Sequence, residues 1–273
     1  MNLRADEADA SAGLFVVRRA LLGRRESSDV ILPQRPLGAM HGDAARRTLE
    51  EKGAAVETGV RVADLADVDA DAVVVALPPR ESAQLLGEPE PTLEDSPIVS
   101  VHLLFDRGLL RTPLAALLGS DAHWVFDRSA LTGAGPAEKP PVRDSGRGEW
   151  VRGSREVPPW PAGAQYLTVV SSGVPELTEL RGRELVERIA GQVTDRLGTA
   201  KLLWSRVSRE PRATVALRPG AVQFRAGTTT SRPNVVRAGA WTDTGWPVTM
   251  ESAVRSGRAA ARALSGVEAK VAA

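Results

Sequence analysis

With 273 residues the chain is long enough to bury a substantial core, as one large domain or two modest ones. A hydrophobic fraction of 42%, a charged fraction of 25% and a formal net charge of +1 are those of an ordinary globular protein, with no electrostatic footprint for nucleic acid. The absence of cysteine excludes disulfides, thiolate catalysis and cysteine-held metal, and fits a reducing compartment. The opening, MNLRADEADASAGLF, has no basic region followed by an apolar one, so no signal peptide is expected. The longest apolar runs, such as AVVVALPP from Ala72, fall far short of a membrane span. The expectation is a soluble, cytoplasmic protein, with peripheral attachment to a membrane left open.

In chain order, the segment up to Arg25 is rich in Ala, Leu and Arg and reads as helical without a clear cap. SDVILP suggests a short extended piece ending at Pro33, and GDAARRTLEEKG a helix with Asp43 as N-cap and Gly53 beyond its end. AAVETGVRVADL, residues 54–65, reads as two short strand pieces about Gly59. ADAVVVALPP is a continuous β-branched run, the pattern of a strand buried on both faces, and Pro79 then opens a short helix stopped by Gly87. After the Pro- and acid-rich GEPEPTLEDSP come strands at IVSVHLLF, AHWVFDR and QYLTVVSS. The Pro/Gly-rich segment 131–163 between the last two reads as a mobile insertion. TELRGRELVERIAGQVTDRLG is the strongest helix, capped by Thr178, with Leu185, Ile189, Val193 and Leu197 at four-residue spacing. AKLLWSRVS and ATVALRPGAVQFRAG add two strands. The expected architecture is α/β (α+β), with a β-rich module over 95–227 inserted between α/β pieces over 1–94 and 228–273.

The stretch AGAWTDTGWPVTMESAVRSGRAAA, Ala238 to Ala261, reads as strand, tight turn and small-residue helix. Gly239 and Ala240 leave the backbone open to close approach, and Gly245 relaxes the turn. Thr242, Asp243 and Thr244 supply two hydroxyls and a carboxylate, and Pro247 suits a first helical turn. The face expected to pack carries Met250, Ala253, Val254, Gly257, Ala261 and Leu264. The N–H groups near Thr249 and Met250 lie at the positive end of the helix dipole and suit an electron-rich oxygen such as a flavin C2 carbonyl. From periodicity alone, a capped terminal helix with Trp241 and Trp246 in the core is the simpler reading.

The same stretch resembles the C-terminal flavin-binding motif of the FAD-dependent amine oxidase and phytoene desaturase superfamily. Its tryptophan-containing turn is most similar to the squalene-associated branch, the hydroxysqualene dehydroxylases. SDVILPQRPLG, GVRVADL, DAVVVALPP, SPIVSVHLLFDR, HWVFDR and SREPRAT agree in order, so the resemblance covers most of the chain outside the insertion. It implies an amine oxidase-like fold, an FAD cofactor in a Rossmann-like domain and a lipophilic isoprenoid substrate, hydroxysqualene being converted to squalene by hydride from reduced flavin. A carotenoid or phytoene desaturase and an amine oxidase are the alternatives on the same fold. By position, Val62 would meet the adenine through its backbone. Gly239 and Ala240, with Trp241 next to them, would lie beside the ribityl and pyrophosphate region. Trp246 and Pro247 would approach the isoalloxazine ring, and Met250 N–H would face its C2 carbonyl, with Thr249, Gly245 and Ala253 adjoining. Many members carry Gly-Asp where this chain has Gly239-Ala240, and Asp243 would stand in for that carboxylate.

Members of the superfamily also open with a G-x-G-x-x-G strand–turn–helix that cradles the pyrophosphate, and that pattern occurs nowhere here. The FAD domain is therefore expected to be incomplete. The chain would be a fragment, the product of a misplaced start, or half of a split protein whose N-terminal FAD-binding half is encoded separately. A non-catalytic subunit is the reading from another class. His41, His102 and His123 form no metal pattern, no nucleophile elbow surrounds Ser171 and Ser172, and Asp127 and Arg128 read as an internal ion pair.

Overall fold

A computed structural model describes residues 2–132, 141–143, 150–152 and 160–271; most of the insertion read over 131–163 thus lies outside the described residues. Chain contacts divide into two units. One comprises Met1–Asp29, Glu57–Ser96 and Arg212–Ala273, the other Val30–Val56 and Pro97–Pro211.

In the first unit, helix α1 (Ala10–Ala20) starts at a definite cap: the Asp9 carboxylate accepts the N–H groups of Ser11 and Ala12. Residues 54–64 pair into no strand, which corrects the expected two pieces about Gly59. Strand β1 (Val73–Val75) does form, and it pairs in parallel with a later strand of the same unit, Val73 opposite Val235 and Val75 opposite Arg237. The β-branched run is buried on one face only, since Val74 is 43% exposed. Helix α3 (Pro79–Leu86) begins at its proline and ends where Gly87 adopts φ 69°, a left-handed cap that a glycine takes without a Cβ penalty. Between α1 and β1, in the second unit, helix α2 (Asp43–Glu51) continues from a π turn over Gly38–Gly42, so Asp43 lies inside the helical run instead of capping it.

The second unit is built on a five-stranded sheet. Its strands are β2 (Asp95–Phe105), β3 (Leu114–Ala116), β4 (Trp124–Asp127), β7 (Gln165–Ser172) and β8 (Leu202–Val215), in the order β3-β4-β7-β2-β8. A short helix α4 (Arg128–Thr132) follows β4, and β5 (Pro141–Arg143) pairs antiparallel with β6 (Trp150–Arg152). Helix α5 (Pro175–Glu179) is a separate turn, and α6 (Gly182–Leu197) starts after Arg181, so Thr178 does not cap it. Alternate residues of β2 and β7 (Val99, Val101, Leu103, Phe105, Leu167 and Val169) pack on Leu185, Ile189 and Val193 of α6. Each such side chain contributes about 1.5–3 kcal/mol on burial. The four-residue period of α6 is thus a core stripe. β8 runs as one strand through Pro211, which is tolerated because β8 lies at the sheet edge.

The chain returns to the first unit with β9 (Val235–Arg237), the partner of β1, and the long helix α7 (Met250–Val271). Buried Arg237 reaches back from β9 to Glu88, just past α3, at 2.5 Å. Among the described residues, no helix is long and apolar enough to cross a membrane.

Candidate functional site

The segment between β9 and α7 is a turn held from inside. Ala238 N–H closes the β1–β9 ladder on the Val75 carbonyl at 3.0 Å. Gly239 follows at φ 156°, and a Cβ there would lie 2.6 Å from Trp241 Nε1. The missing side chain therefore makes room for an indole of the same turn. Trp241 is 4% exposed, packs with Ala12, Val215 and Leu217, and donates its Nε1–H to the Leu77 carbonyl at 2.9 Å.

Helix α7 meets the turn through hydroxyls. Ser256 Oγ accepts Gly239 N–H at 2.8 Å, and Ser252 Oγ donates to the Ala240 carbonyl at 2.8 Å while meeting Thr244 at 2.7 Å. The buried stripe of α7 is accordingly Ser252, Ser256 and Ala260, with Ala263 and Leu264 beside it. This corrects the expected packing face. Ala253, Gly257 and Ala261 are exposed, as are Met250 at 56% and Val254, and a Cβ on Gly257 would meet open space.

Arg225 locks the turn. Its guanidinium donates to the carbonyls of Trp246 (2.7 Å), Trp241 (3.1 Å), Ala240 (3.1 Å) and Thr242, and to Ser252 Oγ at 3.3 Å. Burial pushes its pKa down and Asp243 pulls it back, but a guanidinium stays charged at neutral pH. A cation is thereby fixed under the carbonyl side of the turn, beside the N-terminal end of α7. That end is open. The first helical bond runs from Ala253 N–H to the Thr249 carbonyl at 3.1 Å, and Thr249 spends its hydroxyl hydrogen on the Pro247 carbonyl. The N–H groups of Met250, Glu251 and Ser252 have no intrahelical acceptor, as the geometry of any helix start requires. Dipole and guanidinium together favour an electron-rich oxygen at this place.

Around this end, Trp246, Pro247 and Thr249 line a cavity of about 310 Å³ with Phe15 and Arg19 of α1. Trp246 is clasped within it. Phe15 meets it edge-on at 4.8 Å, and the guanidiniums of Arg255 and Arg19 stand 4.2 and 5.4 Å from its ring centre. Asp243 faces a separate recess with Arg255 and Arg258, and its carboxylate accepts Gly245 N–H at 3.3 Å, closing the turn where Gly245 has φ 66°. Val62, 46% exposed, lines a third groove of about 750 Å³ along β1, with Val60, Val74 and Leu77. The structure thus gathers Trp246, Pro247 and Thr249 at one cavity, places Gly239, Ala240 and Trp241 behind it, leaves Met250 and Ala253 on the outer face of α7, and keeps Val62 apart.

Comparison with known proteins gives the family of the chain. The family model for flavin-containing amine oxidoreductases matches residues 38–265. The chain belongs to that family. The family's cofactor class is flavin and its reaction class oxidoreduction. The chain is 29% identical over 285 residues to a hydroxysqualene dehydroxylase of Sinorhizobium fredii (strain NBRC 101917 / NGR234), covering 96% of this chain and 60% of that protein. A hydroxysqualene dehydroxylase of Rhodopseudomonas palustris (strain ATCC BAA-98 / CGA009) is 28% identical, with 95% and 59% covered. The chain thus spans about 60% of the length of these curated relatives. Cyclohexylamine oxidase from Brevibacterium oxydans IH-35A shares the fold at a TM-score of 0.56 and 12% identity, over 97% of this chain and 61% of that one.

Arg225, Phe15, Arg19, Ser252 and Ser256 surround the candidate site and carry little sequence signal. Asp127, buried at the end of β4, accepts the Gln165 amide at 2.7 Å and Ala130 N–H at 3.1 Å. Among the described residues no group of His, Asp and Glu could hold a metal.

Proposed function

We propose that this chain is the flavin-ring and substrate portion of an FAD-dependent oxidoreductase of the hydroxysqualene dehydroxylase type, acting on a long isoprenoid in the squalene and hopanoid route. The observation that carries the reading is the open N-terminal end of α7, backed by the Arg225 guanidinium, inside the stretch that the family model matches. The two relatives named hydroxysqualene dehydroxylase support the substrate class. The residues present fit the ring end of the cofactor: Met250 and Glu251 would offer N–H groups to the electron-rich C2 carbonyl, and Arg225 holds the turn that would aim them.

FAD, when bound and reduced, would supply hydride to the carbon that loses its hydroxyl. The hydroxyl would leave as water after taking a proton, giving squalene and oxidised flavin. The protein's part is to orient the ring, exclude water and deliver that proton. The amine oxidase reading rests on the family model and the shared fold, and the desaturase reading on the sequence resemblance alone.

The partner in this reading is an N-terminal FAD-binding half that supplies the pyrophosphate cradle. Exposed Val60, Val62, Val74 and Leu77 along the groove, and Met250 and Val254 on α7, are the apolar surface it would cover. The test is a single-turnover reaction of hydroxysqualene with the chain, the N-terminal half of a relative and dithionite-reduced FAD. Squalene formed only when all are present supports the reading. An unchanged substrate pool, with flavin bound, refutes the substrate class.

A further inference from the structure

The second unit holds a polar cluster that the flavin site leaves unused. β2 and β7 pair antiparallel with His102 opposite Thr168 and Leu104 opposite Tyr166. Since Val101, Leu103, Leu167 and Val169 face α6, alternation sends His102, Tyr166 and Thr168 to the other face of the sheet. There the Tyr166 hydroxyl lies 3.0 Å and the Thr168 hydroxyl 3.1 Å from His102 Nδ1. Burial, helped by the charges of Arg206 and Arg128, lowers the His102 pKa to about 4, so the imidazole is neutral. Burial outweighs those same charges at Tyr166 and raises its pKa, so the phenol keeps its proton.

With the imidazole proton on Nε2, Tyr166 donates to His102 Nδ1, Thr168 can donate to the Tyr166 oxygen, and that oxygen retains one lone pair. Beside it stands the opposite deficiency. Trp160 meets Tyr166 edge-on at 5.4 Å, and its buried Nε1–H has no hydrogen-bond partner among the described residues. A buried donor without an acceptor is unfavourable, so a ligand oxygen there is favoured. Trp204 also meets the phenol edge-on, at 6.2 Å, and both indoles are partly exposed. One spare acceptor and one spare donor, set in an aromatic wall, match a group that both donates and accepts.

We propose that Trp160, Tyr166, His102 and Thr168 form a binding site for the hydroxyl group of an otherwise apolar alcohol. Trp160 donates to the alcohol oxygen, the Tyr166 oxygen accepts the alcohol hydrogen, His102 and Thr168 fix the phenol, and Trp160 and Trp204 cover the hydrocarbon. The choice of an alcohol with a long apolar body rests on the substrate class proposed above; the donor–acceptor match does not.

The experiment is calorimetric titration of the full chain, without flavin, with farnesol and with farnesyl methyl ether. The ether keeps the acceptor oxygen and lacks the hydrogen. Farnesol should bind about five- to tenfold tighter than the ether, from the one extra hydrogen bond. Tyr166→Phe should erase that preference. Trp160→Phe should weaken both ligands by about tenfold and leave the farnesol preference in place. Equal affinities in the wild type, no binding of either ligand, or a preference that survives Tyr166→Phe would overturn the assignment. Should Tyr166→Phe fail to fold, as judged by its circular dichroism, the wild-type comparison and Trp160→Phe decide the matter. Because flavin is absent throughout, failure here leaves the flavin reading intact.

Discussion

Replacing Arg225 with methionine keeps an apolar stem of similar length and deletes the guanidinium. Four carbonyls and Ser252 Oγ then lose a donor. Charge-assisted bonds contribute about 1.5–3 kcal/mol each, and a naive sum over the set would rival the stability of a whole domain. Two effects reduce it. Removing a buried cation recovers its desolvation cost, and the partly exposed Ala240 and Trp246 carbonyls can turn to water. The buried Trp241 and Thr242 residues keep the loss substantial, so the net effect is about 3–4 kcal/mol. Urea unfolding followed by tryptophan fluorescence measures it directly, since Trp241 and Trp246 both lie in the turn. Arg225→Lys, with three donors on a flexible stem, should recover part of the loss. A change below about 0.5 kcal/mol in Arg225→Met, the range of an ordinary surface substitution, would show that the guanidinium does not hold the turn.

Gly239→Ala should cost more than 2 kcal/mol or so and shift Trp241 emission to the red, because its Cβ meets the indole at 2.6 Å. Gly257→Leu should leave stability within about 0.5 kcal/mol in the same unfolding assay, because nothing lies within 4 Å of its Cβ; unfolding of that variant would contradict the buried stripe assigned to α7. With its folded pKa lowered to about 4, His102 binds fewer protons folded than unfolded as pH falls from 6.5 to 4. Stability should drop through that window by up to about 3 kcal/mol, and the His102 ring signals in NMR should not titrate above pH 5. Glu88→Gln leaves the buried Arg237 guanidinium without its carboxylate and should lower stability by about 3 kcal/mol in thermal unfolding.

Where the physics is local, the sequence was readable. Pro79 and Gly87 bound α3 because one fixes φ and the other accepts a left-handed φ, and the period of α6 announced the stripe that packs on β2 and β7. Reading failed where tertiary partners decide. Val74 is apolar yet exposed, since burial depends on what covers the sheet. Ser252 and Ser256 are polar yet buried, since their hydroxyls bond the backbone of the preceding turn. Arg225 gave no signal: its partners are carbonyls, which every residue possesses, and cations usually lie outside. At the candidate site, the segment from Gly239 to Ala253 could be named from its resemblance. The clasp of Phe15 and Arg19 on Trp246 could not, because it joins residues more than 200 positions apart.

The most direct test of the account is a flavin titration of the purified chain, alone and with the G-x-G-x-x-G half of a relative added, followed by quenching of FAD fluorescence. Weak or no uptake is expected from the chain alone and tight, stoichiometric uptake with the added half, lost again in Arg225→Met. Tight binding by the chain alone, or no binding in either mixture, would contradict it.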